Sequence, residues 1–246
     1  MNKKDVLALI EPFKDEACFA GFKLRKSDCY FIRKFDWGWQ KVRFTHHNGF
    51  DLDRKELALE IKVGYSIRFN CLHDFVQPYS PYNLKEYSSI AFSEGMIRRI
   101  EKNEYTWGDN AQEFEYFFLE SREDAETDYR IFKDGVLKHA ACVFNNYCTM
   151  TAIYNFYVVP ILEGKTKLWP WEGAAVFKYL LLARIVKPDE YPNIKKKLFE
   201  IQDYWRTKDN WANNGYSSYE PYYLRRDEVC KVLESLPIDL PKELIG

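Results

Sequence analysis

The stretch "LALEIKVGYSIRF", residues 57–69, decides the fold class. Leu57, Leu59, Ile61, Val63, Tyr65, Ile67 and Phe69 alternate with Ala58, Glu60, Lys62, Gly64, Ser66 and Arg68. A period of two over this length is a β-strand with one buried and one wet face, as in an antiparallel sheet. Upstream, 22–26, 29–35 and 39–47 alternate in the same way and predict three more strands. "DWGW" at 36–39 supplies Gly38 for a tight turn, and Asn48-Gly49 is a strong hairpin signal. Before them, Val6, Leu7, Ile10, Phe13, Ala17 and Cys18 recur at helical spacing. They predict an amphipathic helix over 3–20, closed by Gly21.

Beyond the long strand the pattern changes. The Pro-rich "VQPYSPYN", 76–83, marks an internal boundary. Short strands are expected at 87–92, 96–100 and 114–119. Helices are expected at 122–146, 171–187, 189–208 and 224–236, with Pro170, Pro188 and Pro237 as start and stop signals. Strands first and helices later predict an α+β fold: an N-terminal helix, an antiparallel meander and C-terminal helices packed on the sheet. The expected organisation is one domain over 1–246, with a possible subdivision into 1–76 and 84–246.

Composition excludes several classes. Of 246 residues, 46% are apolar and 17% aromatic, which suits a folded chain with a large core. Net charge is −1, so a globally basic nucleic-acid binder is not expected, nor a membrane-surface protein. The charge is uneven: residues 22–69 hold 11 Lys/Arg against 6 Asp/Glu, and residues 104–128 hold 9 acids against Arg122. Six cysteines include no CxxC pair and predict reduced thiols. Charged residues interrupt the start of the chain and no apolar run follows, so the expected location is cytoplasmic.

Four segments are candidate sites. "RFTHHNGFDLD", 43–53, holds two of the four histidines. His46 and His47 are adjacent on a strand and point to opposite faces, so they cannot share one metal. A metal site there would need His73, His139 or acids from elsewhere; a hairpin tip is the simpler expectation. The second candidate joins Asp51 or Asp53 to Glu60 and Lys62. An acid upstream of an acid-x-Lys strand resembles the core of restriction-endonuclease-like nucleases. That resemblance implies Mg²⁺ on the carboxylates and a catalytic Lys62. A cross-strand charge pair explains the same residues. No cofactor is favoured.

The third is the acidic band of Glu113, Glu115, Glu120, Glu123, Asp124, Glu126 and Asp128. Acids at a helix start are favoured by the helix dipole, and the band as a whole could steer a basic partner. The fourth is "DNWANNGYSSYEPYY", 209–223, whose Trp211, Tyr216, Tyr219 and Tyr222 have a contact-surface composition. "KLWPWEG", 167–173, is a second aromatic patch.

"GFK" at 21–23, "CYFIRKF" at 29–35 and "WQKVRF" at 39–44 carry one resemblance. Residues 6–69 resemble a group of uncharacterised bacterial α+β domains, some thought to be immunity or accessory proteins of toxin and defence loci. The resemblance implies a binding role. The expected function is therefore non-catalytic binding of another macromolecule, such as a basic protein, through the acidic band and the aromatic loop. Nuclease activity and small-ligand binding in an aromatic-lined pocket are the alternatives.

Overall fold

The computed structural model describes residues 3–51, 56–80, 87–102, 115–119, 125–165, 175–208 and 220–246. The fold is α+β, as expected. The chain divides into two compact units: 1–69 with 88–146, and 70–87 with 147–246.

The first unit is built on the strand that opened the sequence. β4 (Glu56–Phe69) is the central strand. Its Leu59, Ile61, Val63, Tyr65, Ile67 and Phe69 are each 2% exposed or less. On one side run β3 (Gly38–Asp51), β2 (Tyr30–Phe35) and β1 (Lys23–Arg25), all antiparallel. On the other side two short strands share the edge of β4 in tandem. β5 (Ile90–Ser93) pairs with its residues 64–67, and β6 (Glu115–Leu119) with its residues 58–62.

The apolar face is covered by aromatic packing. α1 (Lys3–Ile10) is followed by two short 3₁₀ turns, Glu11–Asp15 and Ala17–Phe19. The sequence predicts one helix here, but Pro12 at the start of the first turn has no N–H to continue the α-helical ladder. The turns place Phe13 against Phe19 (5.4 Å between ring centroids), Phe44 (5.9 Å) and Phe132 (5.6 Å, edge-on). Phe132 belongs to α4 (Ala125–Asn146), which buries Phe132, Val136, Ala140, Val143 and Phe144 at helical spacing. Of the C-terminal helices, α4 is the one packed on the sheet within this unit.

Two expectations are corrected. Asn48 and Gly49 are not a turn: they lie in β3, opposite Leu59 and Ala58, and the ladder runs on to Asp51 opposite Glu56. The register fixed by the alternating face of β4 prevails over the local turn preference. Residues 96–100 are not a strand but part of α3 (Glu94–Glu101). The Ser93 hydroxyl caps it, accepting from the Met96 N–H at 3.3 Å.

The second unit is helical, with α2 (Asn70–Val76), α5 (Met150–Leu162), α6 (Ala175–Val186), α7 (Tyr191–Lys208), α8 (Glu220–Ser235) and α9 (Lys242–Ile245). α6 is buried on nearly every side and packs on α2, α5, α7 and α8. No helix among the described residues is long and apolar enough to cross a membrane. All six cysteines are free thiols.

Candidate functional site

The polar face of the sheet gathers charged and aromatic side chains. Register places its side chains in cross-strand rows, because directly opposed residues of an antiparallel pair share a face. Arg25, Tyr30 and Arg43 form one row; Lys23, Ile32 and Lys41 form the next. Lys34, Trp39 and Arg68 form a third, in which Arg68 is buried and Lys34 is the exposed cation. In each row two cations flank an apolar or aromatic residue, and rows recur about every 7 Å along the strands. Lys23, Arg25, Lys34 and Arg43 are exposed, and among the described residues none of these four is in an ion pair. The Lys41 ammonium lies 4.9 Å from the Tyr30 ring centroid and 4.4 Å from that of Trp39.

Further along the same face the charge is neutralised locally. His47 stands directly opposite Glu60, and its Nε2 contacts the Glu60 carboxylate. Lys62 Nζ approaches the other carboxylate oxygen at 4.0 Å. Glu60 is buried at 7% exposure. Glu60 and Lys62 do share a face, as their spacing predicts, in a cross-strand charge cluster. Asp51 is not brought to them: it is opposite Glu56, four residues beyond His47 on β3, or about 13 Å along the strand. Asp53 lies outside the described residues. Among the described residues no group of three His, Cys, Asp or Glu side chains could hold a metal ion.

The two histidines do point to opposite faces. His46 is opposite Ile61 on the core side. It lines a cavity of about 280 Å³ with Lys3, Ser27, Asp28, Cys29, Arg43, Phe44 and Thr45. The cavity sits where β2 ends: Tyr30, its first residue, pairs with Arg43, so β3 runs on past it. Lys3 Nζ donates to the Ser27 carbonyl at 2.5 Å, and the Ser27 hydroxyl to Asp28 at 2.6 Å. Cys29 has φ +49, in the left-handed region, and its carbonyl accepts from the Phe44 N–H at 2.9 Å. Burial raises the pKa of the Cys29 thiol, which disfavours the thiolate.

The other candidates are only partly placed. Glu126 and Asp128 lie in the first turn of α4, where the dipole favours them. Glu115 is in β6, opposite Lys62. Glu113, Glu120, Glu123 and Asp124 lie outside the described residues, as do Trp211, Tyr216, Tyr219 and the 167–173 patch. Tyr222 falls within α8, which begins four residues earlier than the sequence predicts. The neighbouring Tyr223 hydroxyl donates to Asp203 of α7 at 2.7 Å, and Arg226 pairs with the same carboxylate at 2.6 Å. This end of the expected contact loop is a helix–helix clasp.

No protein-family model, curated protein or solved structure matches this chain. Function is therefore read from the chemistry of the sheet face.

Proposed function

We propose that the protein acts by binding another macromolecule, and that the polar face of the sheet is the surface it uses. The supporting observation is the set of three rows. Exposed Arg25 and Arg43 flank Tyr30, exposed Lys34 is opposite Trp39, and exposed Lys23 lies in the row between, while the carboxylate of Glu60 is buried against His47. Such a surface selects an anionic partner, by long-range attraction first and by apolar contact afterwards. The acidic band would suit a basic partner, but the sign of the face placed here is the opposite one.

The test is retention on immobilised heparin at low salt. The wild-type chain should bind despite its net charge of −1, and elute as salt rises. The double substitution Lys34→Glu and Arg43→Glu should abolish retention while leaving the circular dichroism spectrum unchanged. Failure of the wild-type chain to bind, or full retention of the variant, would remove the sheet face as the binding surface.

A further inference from the structure

Resting on that reading, we infer that the anionic partner is a single-stranded nucleic acid, with bases stacked on Tyr30 and Trp39 and phosphates held by the flanking cations. Three observations carry this. The first is the pairing of charge with flat aromatic surface. An acidic protein needs only the cations; a single strand uses both, since every base offers a stacking face and every linkage a negative charge. Tyr30 and Trp39 are half-buried residues held in place by the sheet.

The second observation is the position of Lys41 between the two rings, 4.9 and 4.4 Å from their centroids. A half-buried ammonium on a ring competes there with a stacked base, which an aromatic holds by about 1–3 kcal/mol. A base therefore displaces the Lys41 ammonium, and the released charge is left beside the backbone of the strand that displaced it. The third is the cavity at the end of the first row. Arg43 belongs to both the row and the cavity, where Lys3, Ser27, Thr45 and His46 add a second cation and further polar groups, against the single carboxylate of Asp28. A phosphate next to a base on Tyr30 falls within reach of this end.

The experiment is fluorescence anisotropy with a labelled oligo(dT), the same sequence as a duplex, and poly-glutamate as competitor, run beside the heparin assay. The single strand should bind in preference to the duplex. Trp39→Leu should weaken it about tenfold, as expected for the loss of one stacked base, a larger loss than the same variant shows on heparin, which offers no base to stack. Arg25→Ala with Lys34→Ala, both exposed sites, should lower the salt slope of log K by about 1.4 for two phosphate contacts on a single strand. This second variant decides the matter should Trp39→Leu fail to fold. Equal or tighter binding of the duplex, stronger competition by poly-glutamate than by unlabelled oligo(dT), or an unchanged salt slope would overturn the inference. With heparin retention intact, such a result leaves the anion-binding face standing; loss of both removes the two together.

Discussion

Gly38 opens β3 one residue before Trp39, and its backbone passes directly against that of β4. A Cβ built there would lie 1.8 Å from the Arg68 carbonyl oxygen, so neither strand could keep its place. Gly38→Ala should cost roughly 1–3 kcal/mol, read as a lower urea midpoint, and should move Trp39 off its row. An unchanged midpoint would mean that the strands separate there at little cost. Cys71, at the start of α2, is a second residue with a defined behaviour. Burial raises its thiol pKa to about 11, from an ordinary 9.0. Alkylation at pH 8 should then lag an ordinary thiol by on the order of a hundredfold. Peptide mapping after timed iodoacetamide treatment measures this, and early labelling of Cys71 would contradict the raised pKa of this half-buried thiol.

At the scale of elements, the end of α8 is held by a neighbour as well as by its own closing hydrogen bonds. Arg184 of α6 reaches the carbonyls of Leu233, Glu234 (3.0 Å) and Leu236 (2.8 Å), and that of Leu233 also accepts from the Leu236 N–H at 3.2 Å. Arg184→Ala should destabilise the helical unit by about 2 kcal/mol, seen as a lower melting midpoint. Beside it, Lys195 donates to Glu234 at 2.6 Å and holds that carboxyl below its ordinary 4.5. A lowered pKa means that the charged form is favoured on folding. The contribution is complete above pH 4.5 and fades as pH falls through the lower folded value. Glu234→Gln should therefore be less stable than wild type at pH 6, and the gap should close in acid. A constant gap across that range would show that the pair does not titrate with folding.

The same scale shows what was legible. β4 was readable because its two faces differ so sharply that only one period fits. The Asn48-Gly49 turn was misread because a ladder of consecutive pairs outweighs one dipeptide's preference. The strand reading of 96–100 overlooks that Met96, Ile97 and Ile100 sit at helical spacing, and the Ser93 cap fixes where the helix starts. α2 follows β4 with no turn residue between them and is only seven residues long, while α5 is apolar on most sides and carries Pro160, so neither stands out in the sequence. Within the site, Glu60 and Lys62 could be placed on one face by counting. The rows could not. That Arg25, Tyr30 and Arg43 line up depends on the pairings 25 with 30 and 30 with 43, which a local pattern does not state.

For the whole molecule, the excess of basic residues over 22–69 is visible in composition, but its meaning comes from the sheet. Alternation sends Arg33 to the core side, where its guanidinium donates to Gln40 and to the Ala20 carbonyl. It gathers Lys23, Arg25, Lys34 and Arg43 on the other. Near-zero net charge and a strongly basic face therefore coexist. Attraction to a polyanion should be steep in salt and confined to one side of the sheet.

The tandem seating of β5 and β6 on one edge of β4 has a consequence for how the protein is made. A ribosome delivers β1 to β4 first, then residues 70–87 of the other unit, and only afterwards the two strands that close the edge. For the whole of that interval a nascent chain displays a 14-residue strand with one bare side. Long bare strands recruit whatever extended chain is nearby. A stalled or truncated product ending near residue 87 is thus the form most prone to aggregate, and the one for which a chaperone that shields strand edges has the most to do.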